Sequence, residues 1–240
     1  APVLADTVLA LGGVTEDAAA PVGAVGTLVS SLVGGVSDVD TGALTGVAVT
    51  ATAGTGTWLN SIDGGATWLA MGSVSDASAR LLAPTARVYF QPGTDFNGTV
   101  PAGLTFRAWD RTSGADGALA NAAINGGTTA FSTATDIAAI TVGPVNDAPT
   151  RTLASVSLAA VAEDTSNPPG ATVAALFAAA FSDAADAVSG GSSADGLAGV
   201  AITGNAAGAQ GAWQWFDGAS WVNVPTALSA TSALVLAAGT

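Results

Sequence analysis

Cysteine, histidine and lysine are all absent from the 240 residues. Without cysteine there is no disulfide, no thiolate metal site and no thiol nucleophile. Without histidine or lysine the chain loses the usual general base at neutral pH and the amine that forms Schiff bases. Five arginines carry all the basic charge against eighteen acidic residues, for a net charge of −13. Neutralising phosphate needs clustered cations, so neither nucleic acid nor an anionic membrane surface is expected as a partner. No stretch approaches the roughly 20 uninterrupted apolar residues of a membrane span, and no membrane insertion is expected. Gly-x-Ser-x-Gly, a phosphate loop and a metal-binding histidine cluster are also missing. Only two glutamates occur, Glu16 and Glu163. The chain begins Ala-Pro-Val with no initiator methionine or signal peptide, and reads as an excerpt of a longer one.

What is present is enough apolar material for buried cores, with 49 % hydrophobic residues and a mean hydropathy of +0.51. The acidity has two readings, solubility or an attraction for divalent cations. Self-similarity is the strongest signal. Val14-Thr15-Glu16-Asp17 returns as Val161-Ala162-Glu163-Asp164, and Ala1-Pro2 as Ala148-Pro149, both displaced by 147 residues (16 to 163, 1 to 148). Gly46-Val47-Ala48-Val49-Thr50 returns as Gly199-Val200-Ala201-Ile202-Thr203 after extra residues around Val188 to Gly196. Gly56-Thr57-Trp58 then matches Gly211-Ala212-Trp213, and Asp63-Gly64 with Trp68 matches Asp217-Gly218 with Trp221. Five matches in one order, several carrying rare residues, indicate one module written twice. The first copy spans 1–147. The second spans 148–240 and stops before any counterpart of Arg87-Val88-Tyr89-Phe90 or the strands beyond it.

Thr45 to Thr52, Ala86 to Phe90, Leu104 to Asp110 and Thr133 to Val142 are short, rich in β-branched or aromatic residues, and bounded by turn residues, so each predicts a strand. Ala171 to Phe181 has partial helical spacing and suits a short helical crossover. Trp58 to Trp68 and Trp213 to Trp221 predict hairpins around Asp-Gly turns. Their indoles either meet across the strands, close an edge of the core, or form a stacking platform for sugars.

The run Tyr89-Phe90-Gln91-Pro92-Gly93-Thr94-Asp95-Phe96-Asn97-Gly98-Thr99, followed by Leu104 to Asp110 and closed by Val145-Asn146-Asp147-Ala148-Pro149, resembles the cadherin-like and immunoglobulin-like tandem repeats of giant bacterial surface proteins. The resemblance covers the first copy and about two thirds of the second. It implies an all-β fold of tandem antiparallel Greek-key β-sandwich modules, the second incomplete. Read without the family, Asp95-Phe96-Asn97-Gly98 is an aromatic anchor within a turn. Asn146-Asp147-Ala148-Pro149 is a stiff linker, because the residue before a proline favours extended backbone.

The resemblance also implies calcium at module junctions. The ligands it suggests are Glu16, Asp17 and Asp110 from the first module, Asn146 and Asp147 from the linker, and Asp183 and Asp186 from the second. Asp38 and Asp40 form the matching pair for an upstream junction. The linker is poorer in acids than the full cadherin Asp-x-Asn-Asp-Asn, and no second acid follows Asp110 closely. Turn formation or helix capping is the competing reading of these side chains.

The expected function is therefore a non-enzymatic stalk, spacer or filament-forming segment of an extracellular, cell-surface adhesin or biofilm matrix protein. Its partners would be neighbouring repeats and identical chains. A carbohydrate-binding module using Trp58, Trp68, Trp213 or Trp221 is the alternative, with glycans as partners. The missing strands of the second copy reflect either truncation or completion by another chain.

Overall fold

Buried and outward residues alternate most regularly along Arg87–Pro92, where Val88, Phe90 and Pro92 turn inward and Arg87, Tyr89 and Gln91 stay partly exposed. That period of two is the signature of a strand with one face on a core. The computed structural model describes residues 1–187, 194–209 and 211–240. Residues 188–193, part of the extra segment within the second copy, therefore lie outside the described residues. The chain divides into two compact units, one built from Ala1–Asn146 and one beginning at Asp147 and running to Thr240.

The first unit contains β1 (Val3–Leu4), β2 (Leu9–Ala10), β3 (Val14–Thr15), β4 (Thr27–Leu28), β5 (Val36–Ser37), β6 (Gly46–Thr52) and β7 (Gly56–Ser61). These are followed by β8 (Leu69–Ala70), β9 (Ala79–Leu82), β10 (Arg87–Pro92), β11 (Gly98–Trp109), β12 (Leu119–Ala120) and β13 (Phe131–Gly143). One sheet runs β12-β9-β6-β11-β13-β2, with β3 also on β13; a second runs β4-β10-β7-β8, and β1 pairs with β5. Both sheets contribute to one core: Val47, Val49, Phe106 and Ile140 from the first meet Trp58, Val88 and Phe90 from the second. A separate cluster of Leu81, Trp109, Ala122 and Phe131 also belongs to this unit.

The expected strands form, and the long ones extend further than the sequence indicated, β11 over 12 residues and β13 over 13. The expectation of wholly antiparallel pairing needs correction at one edge. β2 and β3 both run parallel to β13, pairing at Ala138–Ala139 and at Val142–Gly143. Gly12-Gly13 links them, and a Cβ at Gly13 would lie 3.1 Å from the Thr141 carbonyl oxygen. Glycine thus lets one segment hug the same strand twice.

The second unit contains β14 (Thr150–Arg151), α1 (Val173–Phe177), β15 (Phe181–Ser182), β16 (Gly199–Ile202), β17 (Gln214–Phe216), β18 (Trp221–Asn223) and β19 (Leu234–Ala237). The crossover is helical for one turn: Thr172 caps it by accepting the Ala175 amide at 3.1 Å, and a 3₁₀ turn follows at Ala178–Ala180.

Pairings of the first unit recur in the second. Val3↔Ser37 has its counterpart in Thr150↔Ser182, and Val47↔Leu82 in Val200↔Leu236. The Met71 amide donates to the Trp58 carbonyl at 2.9 Å, and the Val224 amide to the Trp213 carbonyl at 2.8 Å. The bridge Ser75↔Ser78 reappears as Ser229↔Ser232. Equivalent residues therefore close equivalent ladders.

Their surroundings differ. Trp58 does not meet Trp68; it packs on Phe90 at 4.9 Å, while Trp68 stands edge-on to Tyr89 at 5.9 Å. In the second unit Phe216 and Trp221 face each other across β17 and β18 at 5.7 Å.

Candidate metal site

Strand β3 fixes the position of the first candidate ligand. Directly after it, the Glu16 amide donates to the Gly143 carbonyl at 2.9 Å, which holds Glu16 at the end of β13. Its side chain is only 2 % exposed. A carboxylate removed from water needs donors. Two are in place: the Val145 amide donates to Oε1, and Asn97 Nδ2 donates to Oε2 at 2.7 Å.

Asn97 arrives from a different element. The Phe96 amide donates to the Gly93 carbonyl, and the Phe96 ring stands edge-on to Phe90 at 6.2 Å. With the aromatic anchored inward, its neighbours Asp95 and Asn97 are carried to the pole where Glu16 lies. Gly98, at φ +107°, turns the chain into β11, a conformation open to glycine and strained for other residues.

Asp17 and Asp95 both adopt left-handed backbone, with φ of +59° and +55°. Their carboxylate oxygens approach within 4.8 Å. Two anions so close repel unless screened, protonated or bridged by a cation. Asn97 Oδ1 is buried and has no hydrogen-bond partner among the described residues, although the side chain is only 3 % exposed. Leaving such an acceptor unsatisfied costs about 1–3 kcal/mol. The pole therefore offers an unpaired amide oxygen, two close carboxylates and a buried glutamate. This all-oxygen donor set suits a hard cation such as calcium, which takes six to eight oxygens at roughly 2.3–2.6 Å.

The remaining candidates are distributed as follows. Asp110 lies beyond the other end of β11, on the order of 35 Å from the Gly98 end at about 3.3 Å per residue, so it does not join Glu16 and Asp17. Its Oδ1 accepts from the Thr112 amide at 2.8 Å and the Thr112 hydroxyl at 2.6 Å, a turn-forming role. Asn146 ends the first unit and Asp147 begins the second. Within the second unit the Asp147 amide donates to both carboxylate oxygens of buried Asp186, each at 3.2 Å. Asp183 accepts from the Asp195 amide at 2.7 Å. Asp38 follows β5 and accepts the Asp40 amide through Oδ1 at 3.0 Å; its Oδ2 is buried without a partner among the described residues.

Asp95 and Asn97 were not among the ligands expected from sequence. Their motif was legible as a turn, and only the shared pole with Glu16 makes them donors. The tryptophans divide between the units. Trp58 is 6 % exposed and donates Nε1 to the Ala53 carbonyl, whereas Trp213 is 55 % exposed.

No family model matches the chain, and no match was found among curated proteins or solved structures.

Proposed function

We propose that this chain is a structural repeat segment of a large extracellular adhesin or matrix protein. In this reading its modules are Greek-key sandwiches of cadherin-like or immunoglobulin-like type, and it works as a stalk, spacer or filament-forming element. The observation that carries the reading is the recurrence of pairings and turns in two successive units. One pattern covers Val3↔Ser37 and Thr150↔Ser182, and another the left-handed Asp17 and Asp164, at φ +59° and +61°. Repetition of a folding unit along one chain produces length, with each unit stabilised chiefly by its own core and its neighbours.

Calcium at the junction is the second part of the proposal. Glu16, Asp17, Asp95 and Asn97 would supply oxygens from the first unit, Asn146 and Asp147 from the linker, and Asp183 and Asp186 from the second. Each end of the linker is already tied down, Val145 by Glu16 and Asp147 by Asp186. Only Asn146 separates those two anchors in sequence. A cation neutralising carboxylates around so short a connection would fix the angle between modules, and its loss would leave mutual repulsion.

The test compares the chain in calcium and in chelator by small-angle scattering and limited proteolysis. The expected result is a longer, narrower distribution of lengths and protection of Asn146-Asp147 in calcium. Unchanged scattering and cleavage would remove the calcium component. Single-molecule extension of the tethered chain, with two separate unfolding events, tests the repeat component independently.

A carbohydrate-binding module is the second reading, favoured by the exposed indoles of Trp213 and Trp221. Glycan binding lost in the Trp221→Ala variant would support it. The absence of binding across a glycan array would dismiss it.

A further inference from the structure

The segment joining β3 to β4 passes from one sheet of the first unit to the other, since β3 pairs with β13 and β4 with β10. Its residues 18–25 form neither helix nor strand. Outward side chains of the second sheet hold it by its backbone carbonyls. The Tyr89 hydroxyl donates to Ala19 at 3.4 Å, Trp68 Nε1 to Gly23 at 3.2 Å, and Arg87 to both Val25 and Gly26 at 3.3 Å. The segment's own apolar side chains add little, Val22 being 84 % and Val25 40 % exposed. Glycine permits the close approach: a Cβ on Gly65 would collide with the Gly23 carbonyl, and one on Gly26 with the Val88 carbonyl.

The hold is looser than elsewhere in the unit. Buried Trp58 and Trp109 donate their indole N–H to carbonyls at 2.8 and 2.7 Å, against 3.2 Å for the partly exposed Trp68. A segment with few buried apolar contacts opens locally, at a free energy well below that of global unfolding. What lies beneath is an aromatic pair, Trp68 edge-on to Tyr89 at 5.9 Å, with Arg87 two residues before Tyr89 on β10. The contact is also written into the second unit. A Cβ at Gly26 would lie 3.3 Å from Trp68 Cη2, and one at Gly170, which follows Pro168-Pro169, would lie 3.1 Å from Cη2 of the repeat-equivalent Trp221.

We propose that residues 18–25 are a releasable strap, an autoinhibitory contact that fills a docking face for extended, proline-containing peptide with the chain's own segment. The strap itself shows what the face takes. Aromatic side chains that give N–H and O–H groups to the carbonyls of an extended chain are the recognition chemistry of proline-rich segments. Pro21 lies between Ala19 and Gly23, the residues bound by Tyr89 and Trp68, and biases Ala20 to extended backbone. Burial raises the Tyr89 pKa, so the phenol stays protonated and donating at neutral pH. Release frees the indole, the phenol and the guanidinium together. The proposal rests on the first unit and is independent of the calcium and stalk readings.

The experiment follows hydrogen exchange of the indole N–H groups of the full chain by NMR. In the parent, Trp68 should exchange at least roughly tenfold faster than Trp58 and Trp109, as a local opening does. Gly23→Val loosens the strap without a clash, because a Cβ there meets nothing within 4 Å while the φ of +71° disfavours a branched side chain. It should speed Trp68 exchange about tenfold further and leave Trp58 and Trp109 unchanged. A synthetic peptide spanning residues 18–26, added to the Gly23→Val chain, should slow Trp68 again, and the same peptide carrying Pro21→Ala should do so less. Trp68 exchange matching that of the two buried indoles, or unmoved by Gly23→Val, would overturn the strap. No protection by the peptide, equal protection by its Pro21→Ala form, or protection by cellohexaose alone would overturn the docking face, the last in favour of a glycan.

Discussion

Asn97 donates Nδ2 to Oε2 of Glu16 at 2.7 Å, joining the turn before β11 to the turn after β3. The pair sets both the buried charge and the orphaned oxygen of the pole. In Glu16→Gln one oxygen acceptor becomes an amide donor, facing either Val145 N–H or Asn97 Nδ2–H. That mismatch should destabilise the first unit by about 1–3 kcal/mol. Glu163, the repeat-equivalent glutamate, is exposed, so Glu163→Gln should stay within about 0.5 kcal/mol. Urea unfolding followed by hydrogen exchange of each unit checks the contrast, and equal effects would contradict the assigned role.

Trp58 and Trp213 hold equivalent ladder positions, yet one is core and the other half open. Trp58→Ala removes a buried indole packed on Phe90 and should cost about 3–5 kcal/mol. Trp213→Ala should cost near 0.5 kcal/mol, typical of a surface change. Chemical unfolding of both variants, read unit by unit, measures the difference.

How far the sequence foretold these results depends on the range of the interaction. The strands at β6, β10 and β13 were legible because alternation and turn residues are local signals. The repeat was legible because Trp, Glu and Asp-Gly are scarce enough to mark it. The parallel seating of β2 and β3 on β13 was hidden, since partners more than a hundred residues apart leave no local trace. The candidate pole was half visible. Glu16 and Asp17 stood out by recurrence, while Asp95 and Asn97 looked like turn residues until Phe96 was seen to anchor them. Asp110 was grouped with them by resemblance alone, and the length of β11 separates it.

Thr172 is the sole side-chain cap of the five-residue α1, accepting the Ala175 amide at 3.1 Å. So short a helix has little intrinsic stability. Thr172→Ala should therefore weaken it by about 1 kcal/mol. Faster hydrogen exchange at Ala175 and Leu176, with Thr172→Ser restoring protection, is the expected outcome.

Asp63 offers a pH test of the hairpin turn. The side chain and amide of Thr67, with help from the Ser61 hydroxyl, hold its carboxyl well below the ordinary value of 3.8. The amides of Ser220 and Ala219 lower Asp217 in the second unit. A depressed carboxylate stabilises the folded state at pH above its unfolded value, and that contribution disappears as pH falls through the folded value. Between pH 7 and about 4 the turn should therefore hold constant from this source, then weaken on further acidification. Asp63→Asn should be less stable than the parent at pH 7, with the gap narrowing as pH drops below 3.8. Amide exchange at Gly65 and Thr67, whose N–H groups donate to Ser61 Oγ and Asp63 Oδ1, reads this locally. A gap that stays constant through the acid range would mean that the turn draws nothing from ionisation of Asp63.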